Sequence, residues 1–537
     1  MENKYSHIPK EKFEFAQSDA YLHDEKLQTK ARSYFQDAFL RFRKNKSSVV
    51  AACIIIFLIL FSVFAPIISP YTVFDRKTEF AKMPPFVPSI AEKELGIFDG
   101  GSKRASQNQS QMNALKAIAI ETGYDPLIEI TEINEVSEIY KGQERITTYY
   151  SVEVNSYYAI GAKTINISYE EYAAIQAWQD ETGIQVLLPW VEKTDVYIIG
   201  DDVKDPEKVK IPEGDLAANI WYRYKYDTVS KKFVMDLDKD GNFIPVYSTD
   251  QKLAGTDANG DPILYTSTMR IEGDDGSYIY SKGKSGSVQC RVNHYNHYLY
   301  ENNGVEPMFV FGTDEYGADL FCCIGMGARF SLIFAVIVAA INLTIGAIYG
   351  SIQGYYGGLI DLAMDRVSDI LSGVPFMVVA TLFQLHLAQK VGPVVSFLFA
   401  FVLTGWIGMA ALTRKQFYRF KNQEYIMAAR TLGASDRRLM FKHIFPNAIG
   451  TMITSCALVI PGVISSETSL SYLGIINMTD VTGTSIGTLM ASGQQSMVAA
   501  PHAMLFPALF VSLLLISFNL FGNGLRDAFN PSTRGEE

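Results

Sequence analysis

Small groups of residues in this 537-residue chain have types and spacings that could do chemistry. Asp236, Asp238 and Asp240, followed by Gly241, repeat oxygen donors as a calcium loop does. The twelfth position of that loop is Tyr247 rather than a bidentate Glu, so a polar hairpin turn competes with a weak calcium site. His294 and His297 are three apart and could chelate a metal, but no cysteine or second histidine pair stands near them. Glu467 lies inside an apolar run, where a charge costs about 2.5–3.5 kcal/mol on insertion scales. It is therefore expected to face either a water-filled pathway, as a gate residue, or hydroxyls of neighbouring helices. Asp361, Asp365, Arg366 and Asp369 open another apolar run. Asp365 and Asp369 share a helix face, and Arg366 can pair with a neighbouring carboxylate, so a structural role is expected. There is no Walker A motif, G-x-S-x-G, H-E-x-x-H or plausible triad, and the chain is not expected to be an enzyme.

The elements that must hold these groups are of two unlike kinds. Val49–Ile68 is uncharged for 20 residues and closed by Pro70, the length that crosses about 30 Å of hydrocarbon. A polar segment of about 46 residues precedes it and no small-residue cleavage site follows, which argues for an anchor over a signal peptide. Five further apolar spans are expected near 330–352, 362–387, 393–413, 448–475 and 501–523, giving six helices. Pro375 after Gly373 predicts a kink in the third, a feature that suits a helix lining a pathway.

Residues 71–305 differ sharply, with 36 acidic and 24 basic side chains, a net of −12 within a chain of net −10. Residues 75–305 hold 19 of the 30 tyrosines. Alternating segments 145–154 and 164–168 read as strands, 170–182 as a helix, and Asp240-Gly241-Asn242 and Asn259-Gly260-Asp261 as turns. An α+β domain with its own core is expected, its tyrosines either packed inside or forming a docking patch. Cys290 has no partner within it for a disulfide. The mean hydropathy of +0.07 thus averages two parts. An apolar content of 48% excludes disorder, and the lack of a basic footprint excludes a nucleic-acid partner.

Charge asymmetry orients the helices. Basic residues Arg41, Arg43, Lys44 and Lys46 precede the first span, and 414–446 is strongly basic. Both are expected in the cytoplasm, with 71–308 outside and both termini inside. The division is then 1–46, cytoplasmic; 47–70, helix 1; 71–308, exterior insert; 309–527, helices 2–6 with the loop 414–446; and 528–537, a cytoplasmic tail.

Within that loop, Glu424–Leu432 has helical composition and Gly433 breaks it. Ser435 is placed to cap a second helix with Asp436 in its first turn, and Pro446 is expected to end it. A hairpin with an apolar ridge and a basic flank results. It suits either anionic headgroups of membrane lipid or a groove on a protein partner.

Met427-Ala428-Ala429-Arg-Thr-Leu-Gly433, followed by His443-Ile444-Phe445-Pro446, resembles the EAA loop of ABC importer permeases, with Met427 at the usual Glu and Phe445 at the usual Leu. Phe311-Gly-Thr-Asp-Glu-Tyr-Gly-Ala-Asp-Leu320, Gly327-Ala-Arg-Phe-Ser-Leu332, Gly354-Tyr-Tyr-Gly-Gly358 and Glu467-Thr-Ser-Leu-Ser-Tyr-Leu-Gly474 are similar to segments of C-type (OppC/DppC-like) permeases of bacterial oligopeptide/dipeptide ABC importers, with Ala318 at the usual Arg. The resemblance covers about 40–70 and 309–532. It implies a mostly α membrane protein of the type I ABC importer fold, with the α+β domain inserted between helices 1 and 2. It implies coupling through Glu424, Met427, Ala428, Ala429, Gly433, Ala434, Ser435, Asp436, Phe441, Phe445 and Pro446, with Glu467 and Pro375 as pathway candidates. The implied partners are a homologous B-type permease, a heterodimer of ATP-binding subunits, an extracellular peptide-binding lipoprotein and the peptide itself. ATP and magnesium would sit on the partners, with no cofactor on this chain. A peptide-sensing scaffold, or an importer of nickel, haem or glutathione, are the alternatives.

Overall fold

The computed structural model describes residues 34–91, 96–140, 143–198, short segments between 224 and 284, 286–476 and 484–529. Asp236, Asp238, Asp240 and the 259–261 turn lie outside the described residues.

Helix α1 (Tyr34–Lys44) leads into α2 (Lys46–Ile68), whose N-cap Asn45 accepts from Ser48 N–H. After the insert come α6 (Leu320–Tyr356), α7 (Gly358–Ser372), α8 (Phe376–His386), α9 (Pro393–Gly405), α10 (Ile407–Phe420), α11 (Glu424–Thr431), α12 (Asp436–Arg438), α13 (Phe445–Tyr472), α14 (Ile486–Gln495) and α15 (Pro501–Phe529). Five helical stretches are long and apolar enough to cross a membrane: α2, α6, α9–α10, 436–472 and α15. The sixth expected span is the pair α7 and α8, bent by 71°. The expected kink is thus a full break. Pro375 has no N–H to give and takes the N-cap position of α8.

At 37 residues α6 is about 55 Å long, well beyond the hydrocarbon thickness, and it starts ten residues before its expected boundary. The cause is Asp319, whose carboxylate accepts from the N–H groups of Phe321 and Cys322. Its Gly346, Gly350 and Gly354 let α10 approach to backbone contact, against Trp406, Ala410 and Arg414. Pro66 inside α2 leaves the Ser62 carbonyl without its helical donor, and Arg329 of α6 donates to Ser62 O (3.2 Å) and Val63 O (2.9 Å).

Between α2 and α6 lie four small sheets. Strand β1 (Gly101–Asn108) is followed by α3 (Gln109–Thr122) and the long hairpin β2 (Leu127–Tyr140) and β3 (Gln143–Asn155), in the order β1-β3-β2. Next come β4 (Ala162–Ile167), α4 (Tyr169–Thr182), β5 (Leu187–Leu188) and β6 (Val191–Ile198). Then follow β7 (Tyr224–Asp227), β8 (Lys232–Met235), β9 (Lys252–Thr256), β10 (Pro262–Arg270), β11 (Ser281–Lys284), β12 (Ser287–Asn293) and α5 (His294–Glu301). Strand β12 is central, pairing with β4, β5 and β11. The strands expected at 145–154 and 164–168 and the helix at 170–182 fall in β3, β4 and α4.

Among the described residues, several tyrosines pack inward. Tyr71, Tyr157, Tyr295 and Tyr298 are buried with Phe80, Phe86 and Phe309 in one aromatic core. Tyr71 and Tyr298 hydroxyls are 2.6 Å apart, and the Tyr157 hydroxyl donates to Pro84 O. This core accounts for those tyrosines without a docking patch. Buried Cys290 has its thiol pushed up to about 11 by burial, so it stays protonated and unreactive.

His294 is part of the same core, while His297 is buried beside Tyr300. His294 packs 4.7 Å from the Phe80 ring, and burial, aided by Lys163, holds its imidazole down at about 3. Among the described residues no cluster of three metal-ligating side chains occurs. The unfolded chain takes up that proton near pH 6.5, so the folded form loses stability as pH falls from about 6.5 towards 3. Thermal unfolding followed by tryptophan fluorescence is expected to shift down between about pH 7 and pH 4, with a smaller shift for His294→Phe.

Insert and helices meet at a joint built by 311–320. Phe86 and Phe309 exchange both backbone hydrogen bonds at 2.8 Å. The Thr313 hydroxyl donates to Phe80 O and accepts from Met83 N–H. Asp314 accepts from the N–H groups of Tyr316 and Ala318, closing the turn, and Ser69 donates to Asp319. His502 at the start of α15 reaches Thr313 O at 3.2 Å. Ala318 is buried here.

Candidate functional site

The hairpin following α10 is where the expected site residues gather. Helix α11 ends at Thr431, and the turn after it is a Schellman motif. Gly433 N–H donates to Arg430 O (3.0 Å) and Ala434 N–H to Ala429 O (3.1 Å). Gly433 has φ of +80°, the left-handed conformation that lets both bonds form. Ala429 and Ala434, brought together by those bonds, are both packed on the hairpin's inner core.

That core is Ile426, Leu439, Met440 and Ile444 against Phe417 and Tyr355. Other apolar side chains of the hairpin are left exposed: Tyr425, Met427, Phe441 and, at 88% exposure, Leu432. A monomeric soluble surface rarely leaves a large patch of such side chains open. Ser435, Arg437, Arg438, Phe441, Lys442 and Pro446 line a cleft of about 500 Å³. Glu424 and Ala428 are exposed on α11. Leu432 and Tyr425 were missed in the sequence, where only their own separation of seven residues, about two helical turns, could have marked them.

Two local expectations are corrected. Ser435 stands at the N-cap of α12 but its hydroxyl makes no cap bond. Asp436 instead accepts from the Tyr355 hydroxyl at the end of α6, to which Arg430 also donates at 3.4 Å. Pro446 does not end the second helix. A π turn at Leu439–Ile444, with Phe445 N–H donating to Met440 O, absorbs the missing donor, and the helix runs on into α13. Phe445 and Pro446 therefore form the first turn of a span.

The remaining candidates lie elsewhere. Glu467 is 0% exposed and accepts from Ser331 of α6 (2.8 Å) and Ser471 one turn on (3.1 Å). Hydroxyls of α6 and of its own helix thus surround the carboxylate. Pro375 is exposed at the α7–α8 break. Of the α7 charges, Arg366 pairs with Asp369 on the surface (3.0 Å), while Asp361 and Asp365 both take Arg414 of α10.

The family model for binding-protein-dependent transport system inner membrane components matches residues 328–535, and the one for the N-terminal TM domain of oligopeptide transport permease C matches 33–85. The oligopeptide transport system permease protein OppC of Bacillus subtilis (strain 168) is 40% identical over 224 residues, 42% of this chain and 72% of that protein. The chain belongs to the oligopeptide transport permease C family. The dipeptide permease DppC of the same organism is 37% identical over 42% of this chain and 69% of its own length. OppC of Escherichia coli (strain K12) is 38% identical over 43% and 74%. One chain of an inward-facing MetNI methionine ABC transporter aligns at a TM-score of 0.28 and 13% identity over 38% of this chain and 96% of its own, a score that carries no argument. This permease is accordingly a multi-pass, mostly helical membrane protein and a non-catalytic transport subunit. The two matched stretches flank residues 86–327, which contain every strand of the insert.

Proposed function

We propose that this permease forms half of the translocation pathway of an ATP-driven oligopeptide importer in the bacterial plasma membrane. The observation that carries the reading is the hairpin 424–446: a Schellman-capped knob with its own apolar core and further large apolar side chains left open. A nucleotide-driven partner grips such a knob and moves it as one body. The partners are a homologous B-type permease, a pair of ATP-binding subunits carrying ATP and magnesium, and an exterior peptide-binding lipoprotein. The helices take the type I importer arrangement, with both termini and the hairpin in the cytoplasm. Supporting that orientation, the basic flank Arg437, Arg438 and Lys442 lies at the hairpin end. The insert stands outside as a docking scaffold for the lipoprotein. Exposed Ile133, Ile139 and Ile146 on its acidic β2–β3 hairpin support that role.

The test is reconstitution of the whole complex in proteoliposomes, with receptor outside and ATP inside. A radiolabelled pentapeptide is expected to accumulate only with hydrolysable ATP. No ATP-dependent accumulation of tri- to hexapeptides, with uptake of glutathione, nickel or haem instead, would reassign the cargo. A cross-linker placed at Ile139 is expected to capture the receptor, and its failure to do so while uptake proceeds would remove the docking role.

A further inference from the structure

We propose that Arg414, Asp361, Asp365 and Tyr418 form a movable joint that carries displacement of the hairpin into the bent span α7–α8. This rests on the coupling role of 424–446 and goes beyond it to the route inside the chain.

Helix α10 delivers the chain into the hairpin, and Arg414 lies less than two turns from its end. Its guanidinium forks, donating to Asp361 Oδ2 at 2.7 Å and Asp365 Oδ1 at 2.9 Å. Tyr418, one turn on, donates its hydroxyl to the same Asp361 oxygen. Lys421 donates to Gly354 O (3.0 Å) and lies 4.2 Å over the Tyr418 ring. A guanidinium held by two carboxylates one helical turn apart resists rotation as well as separation, so it transmits a pull in a fixed direction.

What it holds is a helix with few other attachments. Only Asp361 and Ser368 of α7 are buried, while Leu359 and Ile370 are exposed. From α6, Tyr349 donates to Met364 O. Each end of α7 is a natural pivot. Gly357 and Gly358 both have positive φ, +67° and +58°, and the other end is the 71° break at Gly373–Pro375. A 15-residue lever gripped one turn from its first pivot turns a small hairpin movement into a larger swing at α8.

The joint is also incompletely paired. Asp361 Oδ1 and Arg414 Nε are buried without a hydrogen-bond partner. Folded proteins satisfy nearly all such groups. Spare donors and acceptors concentrated at one joint fit a network that re-pairs in a second arrangement.

The experiment uses the reconstituted complex, with pentapeptide uptake and ATP hydrolysis measured in the same vesicles. Arg414→Gln is expected to cut uptake per ATP at least about fivefold, the low end of site-to-site coupling, while hydrolysis stays within about twofold. Arg414→Lys, which keeps charge but not the fork, is expected to fall between. Tyr418→Phe, a milder change safe for folding, is expected to lower the same ratio by less. The pair Arg414→Asp with Asp361→Arg is expected to recover part of it. Spin labels at Thr431 and Leu382 are expected to report an ATP-dependent distance change in the unmodified permease that Arg414→Gln abolishes. Uptake and hydrolysis falling in proportion, or the distance change persisting in Arg414→Gln, would overturn the joint. Gly433→Val separates the two levels. If it uncouples transport and Arg414→Gln does not, the joint alone fails; if neither uncouples, the hairpin reading fails with it.

Discussion

A Gly433→Val permease is expected to insert and assemble while losing most peptide uptake, as the partner ATPases continue to hydrolyse ATP. A Cβ added at Gly433 meets nothing within 4 Å, so the penalty is conformational. An L-residue in the left-handed region costs about 1–2 kcal/mol, and a β-branched one more. The cheapest relief is to abandon the Gly433 and Ala434 hydrogen bonds that set the angle between α11 and α12. Each 1.4 kcal/mol is about tenfold in a population, so uptake is expected to fall about tenfold or more. Gly433→Asn, which tolerates positive φ, is expected to retain most uptake. Uptake and coupled hydrolysis measured side by side decide it: a fully active Gly433→Val permease would remove the hairpin from the coupling path.

Gly350→Leu is expected to prevent a stable permease from forming at all. A Cβ at Gly350 would overlap the Ala410 carbonyl and lie 2.8 Å from Thr413 Cβ. The obstruction is backbone, which cannot rotate away, so the cost is expected to exceed about 3 kcal/mol. Close approach of small residues is also what associates helices in lipid, where burial from water provides no drive. Gly408→Ala on α10, with nothing within 4 Å, is the control and should be neutral or slightly stabilising. Thermal unfolding and monodispersity in detergent compare the two. A well-behaved Gly350→Leu permease would mean that α6 and α10 do not pack this closely.

Both arguments bear on what was legible from residues alone. The hairpin was readable because its signals are local: helix composition, a glycine at the stop, a proline beyond. The same locality failed at Pro446, where a π turn absorbs the missing donor, and at Ser435, where the capping side chain goes unused and Asp436 pairs with Tyr355, 81 residues away. The 311–320 motif could be recognised as a pattern but not explained. Its Thr, two Asp and glycines join the exit of α2 to the start of α6 through contacts more than 200 residues apart.

Glu467 shows the limit most plainly. Its place in an apolar run made burial certain and left two environments open. The tertiary structure supplies what chain order could not, a hydroxyl partner from another helix, Ser331. Arg414, one of several basic residues in the 414–446 charge count, became the centre of an ion cluster once α7 was laid beside α10. By itself, the sequence determined the long apolar helices, the acid-rich stretch and the hairpin. These follow from transfer of apolar stretches out of water and from short-range backbone preferences, both properties of contiguous residues. The tertiary structure alone decided which polar groups inside those elements meet, because a hydrogen bond or ion pair depends on ångström placement of side chains that the chain order does not bring together.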